Sequence, residues 1–286
     1  MKHGFLLIDK PVGVTSHDVV AQVRRVLSER KIGHLGTLDP AASGLLVLAV
    51  GAKALKVVEF FHDLSKEYVA TVCFGAVSTT YDREGVVEEV TPKPGWVVPD
   101  AVQVANLLRA HFIGEIEQVP PAYSAVHVGG ERAYDRARRG QPVTLPSRTV
   151  QITECAILSY EYPALSLGVS CSSGTYIRSL AHDLGQKLRC GAYLQALRRT
   201  KVGEWSVDFA VPPDIAGWSF VVPLKEAMAT FDSVELTPEE AENVRHGRNI
   251  CREVKPDTFG WFNGAPLAVL VPARDGTRMA HARKVL

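Results

Sequence analysis

The sequence has no cysteine pair at CxxC spacing, and its five cysteines (Cys73, Cys155, Cys171, Cys190 and Cys251) are scattered and odd in number. That argues against a disulfide framework and a cysteine-built zinc site, and predicts reduced thiols in a cytoplasmic protein. No apolar run reaches the roughly 18 residues that a membrane-spanning helix needs. The apolar stretch behind the N-terminus is cut by Asp9 and Lys10, too short for a secretory signal. There is no GxxxxGK[ST] phosphate loop, no GxGxxG fingerprint, no HExxH and no His or Cys cluster at zinc spacing. Their absence removes the usual signatures of nucleotide hydrolysis, dinucleotide redox chemistry and zinc proteolysis. Charge of one sign is lacking too: 32 Lys and Arg stand against 31 Asp and Glu, a net charge of +1. A nucleic-acid surface, if there is one, is therefore a local patch.

What is present is a chain of 286 residues, 46% of them hydrophobic, enough for one large domain and a smaller one. The boundary is expected between Ala229 and Leu236, dividing residues 1–230 from 231–286. Special residues concentrate in GHLGTLDPAASGLL, Gly33 to Leu46. Gly33 and Gly36 allow backbone angles closed to other residues, Pro40 fixes its own φ and steers Asp39 away from helix, and Gly44 permits a close approach. Asp39 is expected on a rigid loop, although Asp-Pro alone is a common turn.

Around this loop the pattern gives alternating elements. Gly4 to Asp9 reads as a buried strand; Thr15 with Asp18 forms a capping box for a helix that places Val19, Val20, Val23, Val26 and Leu27 on one face. Leu45 to Ala52 is a core strand or a short buried helix. Lys66 to Gly75 alternates with period two, as a strand requires, and Asp100 opens a helix. A strand pair spans Thr149 to Leu158 and Leu165 to Cys171, and a helix follows from Ile177 to Leu188. GVSCS, Gly168 to Ser172, approaches a nucleophile elbow but lacks its second glycine, so Ser170 and Cys171 read as strand residues. A small helix runs from Thr237 to Gly247, and short strands at Leu267 to Val271 and Arg278 to Val285 complete a β-rich C-terminal unit.

Two basic clusters interrupt the neutral balance. Arg132, Arg136, Arg138 and Arg139 interleave with Tyr123 and Tyr134; Lys187, Arg189, Arg198, Arg199 and Lys201 form the second. Either could be a solvated face or a nucleic-acid surface.

Taken together the motifs resemble the TruB family of tRNA pseudouridine-55 synthases, over nearly the whole chain. The matching stretches are DKPVGVTS (Asp9 to Ser16), Gly33 to Leu46, KEYVATVCFG (Lys66 to Gly75), the STTYDREG loop, PPAYSAVHVGGERAYDRARRG, GTYIRSLAHDLG (Gly174 to Gly185) and LQALRRTKVG (Leu194 to Gly203). The C-terminal unit is similar to a PUA-type RNA-binding domain, and the FGAVSTTYDREG continuation is similar to the stand-alone bacterial enzyme. The resemblance implies an α+β pseudouridine synthase fold, a mixed and largely antiparallel sheet with flanking helices, plus a small PUA-like domain. It also implies uridine isomerisation in the tRNA T loop, with no cofactor or metal, tRNA as partner, and no obligatory protein partner.

Residue by residue, the resemblance implies Asp39 as a buried catalytic carboxylate, Arg178 as the cation beside it and Tyr68 as the aromatic that meets the base. It places Tyr176 and Leu197 in the pocket lining, His34 where the base leaves the T loop, and Asp82 in substrate contact. Arg138 and Arg139 are candidate phosphate contacts, and His127 stands where the family usually has lysine. Two other classes compete: an RNA-binding protein without chemistry, and a hydrolase built on Ser170 or Cys171.

Overall fold

The computed structural model describes residues 3–124, 126–273 and 278–286. In chain order come β1 (Gly4–Lys10), α1 (Ser16–Leu27), β2 (Ile32–His34), β3 (Ala42–Val50), α2 (Ala52–Val57), β4 (Lys66–Phe74), β5 (Ala76–Ser78), β6 (Val87–Glu89), α3 (Ala101–His111) and β7 (Gly114–Gln118). An insertion follows with β8 (His127–Val128), β9 (Glu131–Arg132) and α4 (Ala133–Arg138). The chain returns through β10 (Arg148–Glu161), β11 (Ala164–Cys171), α5 (Ile177–Leu188), β12 (Ala192–Val202) and β13 (Trp205–Ser206). It ends with β14 (Val222–Pro223), α6 (Leu224–Ala227), β15 (Ser233–Glu235), α7 (Pro238–Arg245), β16 (Thr258–Phe262), β17 (Ala265–Pro272) and β18 (Ala280–Val285).

Among the described residues the large sheet runs β14-β1-β3-β12-β4-β11-β10-β7, with β2 on β3 and β13 on β12. Only the β3–β12 pair in it is parallel; the others are antiparallel. The apolar run after Asp39 is a strand, β3, because both of its faces are covered. Leu46, Leu48 and Val50 pack with Leu6, Ile8 and the Val19, Val20, Val23 and Leu27 stripe of α1. Leu45, Val47 and Ala49 face the other way, onto Phe5, Leu7 and Phe61.

Helix α1 starts where expected: Thr15 Oγ1 accepts from the Asp18 N–H at 3.0 Å while Asp18 Oδ2 accepts from the Thr15 N–H at 2.9 Å. Val26 departs from expectation. It is exposed, one position off the stripe that faces the sheet. Helices α3 and α5 cover β4, β11 and β12 through Val104, Leu108, Leu180, Ala181 and Leu184.

Strands β15 to β18 build a second sheet, in the order β15-β16-β17-β18. Its inner side has a small core with α7 around Leu236, Ala241, Val244 and Leu270. Phe259, Trp261 and Val269 turn toward Phe5, Val57, Phe61 and Met228. At about 1.5–3 kcal/mol for each large side chain removed from water, this shared core ties the second sheet to the first. No helix of the described residues is long and apolar enough to cross a membrane.

Candidate active site

Asp39 lies on the connection between β2 and β3, outside any helix. Buried Ser16 brackets its neighbour Leu38, the Ser16 hydroxyl donating to the Leu38 carbonyl at 3.0 Å and accepting from the Leu38 N–H at 2.9 Å. The Pro40 carbonyl accepts from the Gly13 N–H at 2.8 Å, and the Asp39 carbonyl from the Ala42 N–H at 3.0 Å. Gly36 adopts φ +81°, and its carbonyl accepts from Arg199 Nη2 at 3.1 Å. Gly33, by contrast, needs no positive φ: it is an ordinary extended residue of β2, where an added Cβ would meet Leu55 Cδ2 at 2.9 Å and push that side chain aside.

Arg178 reaches the Asp39 carboxylate from the first turn of α5, with Nε 3.0 Å from Oδ2. The Nε–H is not aimed along that line, so charge rather than a hydrogen bond joins the pair. The guanidinium is 7% exposed and the Asp39 carboxylate 40%. Asp39 is thus half open to solvent, a correction to the expected buried carboxylate, because its loop forms the rim between two cavities.

The other edge of Arg178 is fully engaged. Nη1 donates to the Thr80 carbonyl at 3.2 Å and faces Asp82 Oδ2 at 3.5 Å; Nη2 donates to the Tyr123 carbonyl at 3.0 Å. Asp82 is itself buried and accepts from Thr80 Oγ1 at 2.5 Å and the Glu84 N–H at 3.0 Å. A carboxylate so enclosed holds Arg178, and it also lines a cavity beside Asp39.

The N-terminus of α5 is fixed by a residue the motifs did not single out. Gln118, buried at the end of β7, accepts from the Tyr176 N–H at 2.7 Å and donates to the Tyr176 carbonyl at 3.0 Å. The Tyr176 ring carries the Arg148 guanidinium over its face at 5.1 Å.

A cavity of about 360 Å³ opens beside Asp39, lined by Tyr68, Tyr176, Arg178, Leu197, Lys66 and Arg199 among others. Tyr68 stands in β4 opposite Arg199 of β12; burial pushes its phenol pKa up, with the Arg199 guanidinium opposing. Arg199 is buried, donating from Nε to the Leu45 carbonyl at 2.7 Å, and thus ties β12, β3 and the Gly36 turn into one support. A second cavity, of about 500 Å³, lies across the rim, where Asp39, Asp82 and Arg178 meet Tyr123, Tyr134 and Arg138.

Comparison with known proteins fits this arrangement. Residues 24–177 match the N-terminal domain of TruB family pseudouridylate synthase, and residues 178–211 the tRNA pseudouridylate synthase B C-terminal domain. The chain belongs to the TruB family of pseudouridylate synthases. It is 44% identical over 283 residues to tRNA pseudouridine synthase B of Leifsonia xyli subsp. xyli, covering 94% of this chain and 89% of that one. Identity to the protein of the same name from Thermobifida fusca is also 44%, over 272 residues, 92% and 91% of the two chains. Among solved structures, a Cbf5-Nop10-Gar1 complex superposes with a TM-score of 0.71 at 25% identity, covering 99% of this chain and 84% of the other. An archaeal box H/ACA Nop10-Cbf5 complex gives 0.69 at 23% identity, covering 100% and 85%, which speaks for the fold alone.

Within this family site, Asp39, Tyr68, Tyr176, Arg178 and Leu197 converge on one cavity. His34 does not line it: it lies on β2, edge-on to His17 with ring centroids 5.7 Å apart. Burial lowers its pKa, helped by His17 and Arg199. Arg138 stacks over Tyr134 at 4.7 Å in the second cavity, whereas Arg139 is paired with Glu131 at 2.6 Å. His127 is exposed in β8, and Ala125 of the same motif lies outside the described residues.

The second basic cluster divides: Lys187 and Arg189 are exposed, and the other three are engaged. Arg198 is held by both oxygens of Asp9 at 3.0 and 2.8 Å, Lys201 by Glu67 at 3.2 Å, and Arg199 is interior. Cys171 is buried and burial pushes its thiol up to about 11, so it is a poor nucleophile; Ser170 is a strand residue of β11, paired with Glu67 of β4.

Two further lysines belong to the site's support. Lys10 is buried, donates to the Pro11 and Val14 carbonyls, and has its pKa lowered to about 8 by burial, with Asp39 opposing. Lys66 donates to the His62 and Leu64 carbonyls. Both stand in quoted motifs, DKPVGVTS and KEYVATVCFG, which was the only sequence signal for them.

Proposed function

We propose that the protein isomerises a uridine in the T loop of tRNA to pseudouridine, at position 55, with Asp39 as the catalytic carboxylate. The observation that carries this reading is the line Asp39–Arg178–Asp82: a half-exposed carboxylate on the rim of two cavities, backed by a buried guanidinium and a buried acid. The name shared by the relatives, tRNA pseudouridine synthase B, supports the substrate class.

The reaction breaks the C1′–N1 bond, turns the base and joins C1′ to C5. C5 loses a proton and N1 gains one, so no oxidant or transferred group is required. The Asp39 carboxylate is the nucleophile, at ribose C1′ or uracil C6, and Arg178 balances its charge while it waits. Tyr68, a phenol whose pKa burial raises further, offers a flat aromatic wall and a phenolic proton. Tyr176 and Leu197 bound the rest of the base pocket.

The target must leave the T-loop stack before Asp39 can reach it. His34 serves the place it vacates, neutral at pH 7 and so able to stack without adding charge. Arg138, with Arg139 at its side, meets phosphate, and residues 231–286 act as a PUA-like grip on the acceptor end. The enzyme acts alone, on cytoplasmic tRNA.

An unmodified tRNA transcript incubated with the protein, treated with a carbodiimide that marks pseudouridine and read by primer extension, tests the reading. A single stop one nucleotide 3′ of position 55, reporting that residue, is expected. No stop, or stops only elsewhere, overturns it.

A further inference from the structure

Tyr81 adopts φ +64°, a left-handed conformation that a large side chain takes only where the surroundings impose it. Its backbone is bound to β12: the Tyr81 carbonyl accepts from the Leu194 N–H at 2.9 Å, and the nearby Arg83 N–H donates to the Leu194 carbonyl at 3.2 Å. Its ring turns the other way and lies flat on the His182 imidazole, with centroids 3.8 Å apart and planes within 10°.

His182 stands four residues after Arg178 on α5, on the same face one turn along. Burial keeps it neutral at pH 7, and its Nδ1 has no hydrogen-bond partner among the described residues. The imidazole is therefore placed by the stack and not by a polar network. Residues 80–82 thus grip two side chains of α5: the Thr80 carbonyl and Asp82 carboxylate hold Arg178, and the Tyr81 ring holds His182. Neither Tyr81 nor His182 lines the two cavities that meet at Asp39.

We propose that Tyr81 and His182 are positioning residues, a stacked clamp that sets the Thr80–Asp82 loop against α5 and so fixes the aim of Arg178 on Asp39. This rests on the isomerase reading above and adds to it two residues that touch no substrate. A glycine at position 81 would take φ +64° without strain, but it would bring no ring. Backbone comfort and catalytic alignment are opposed at this one position, which makes Tyr81→Gly the informative variant.

The test measures kcat, KM and Tm on a T-arm transcript. Misplacing a catalytic group by about 1 Å can cost roughly 100-fold, so kcat of Tyr81→Gly is expected to fall about 10- to 100-fold, with KM changed less than about threefold. Its Tm should stay within a few degrees of wild type, since strain is relieved as packing is removed. His182→Ala should lose as much, the double variant no more than either alone, and Tyr81→Phe, which keeps the ring, should restore kcat. The clamp is refuted if Tyr81→Gly turns over at the wild-type rate, if its loss lies in KM, if the two losses multiply, or if Tm collapses with kcat in both Tyr81→Gly and Tyr81→Phe. Wild-type conversion in the same assay separates the two claims: without it the isomerase reading fails and the clamp with it, whereas normal wild-type turnover with a silent Tyr81→Gly removes the clamp alone.

Discussion

Replacing Arg178 by methionine removes a cation of similar length from the centre of a buried charge line, and its cost can be worked from the groups around it. Asp82, 7% exposed, would keep its hydrogen bonds from Thr80 and Glu84 but lose its counter-charge. Breaking a buried pair from one side costs about 3–5 kcal/mol, and the surviving hydrogen bonds put Asp82 at the lower end. The Thr80 and Tyr123 carbonyls each lose a charged donor, about 1 kcal/mol apiece where water can partly replace it. Asp39 is 40% exposed, so solvent screening limits its share to under about 1 kcal/mol. A loss of about 5–6 kcal/mol follows, and at roughly 2–4 °C per kcal/mol for a chain of this size Tm should drop by about 10–24 °C. Calorimetry on Arg178→Met, Asp82→Asn and the double variant measures it. The double variant should recover about 1–3 kcal/mol relative to the sum of the singles, because no buried carboxylate is left unpaired. Additivity within about 0.5 kcal/mol, or a single-variant Tm close to wild type, would refute the charge line as the support of Asp39.

Burial raises the Asp183 carboxyl from 3.8 to about 6, so between those pH values the native state holds a proton that the unfolded state releases and stability falls as pH rises; Asp183→Asn should gain about 1–3 kcal/mol at pH 8 and nothing at pH 4. An offset in Tm that is independent of pH would contradict this. Gly44 has φ +100°, and an added Cβ would lie 2.2 Å from the Arg199 carbonyl oxygen; Gly44→Ala should lose more than about 3 kcal/mol, seen as a collapse of Tm or of soluble yield. In a salt titration of tRNA affinity, neutralising Arg138 should lower the log–log slope by roughly 0.7–0.9 for each phosphate it no longer neutralises. Arg198→Gln should leave the slope unchanged, since Asp9 already holds that guanidinium.

Much of the local architecture was legible because its causes are local. The α1 capping box, the period-two pattern of β4 and the Gly/Pro loop around Asp39 each follow from residues within a few positions of one another. The roles of the basic residues near position 200 do not. Arg198 meets its acid 189 residues away, and a bulge between Arg199 and Lys201 breaks the alternation that would have told inward from outward. Gln118 likewise looked like any polar residue at a strand end until its partner, Tyr176, was brought 58 residues back to it. The motif marks Asp82 but not its ion pair with Arg178, because a carboxylate aimed at substrate and one aimed at Arg178 leave the same mark in sequence. The exposure of Asp39 is not legible for a similar reason: whether a loop is roofed depends on the insertion and on α5, neither of which is near it in the chain.

The central claim, that Asp39 does the chemistry, is tested most directly by tritium release from C5-labelled uridine in a T-arm transcript, compared between wild type and Asp39→Asn with RNA binding followed in parallel. Wild type should release the label, and Asp39→Asn should bind the transcript with a Kd within about threefold yet release none. Release by Asp39→Asn at the wild-type rate would contradict the assignment of Asp39 as the catalytic carboxylate.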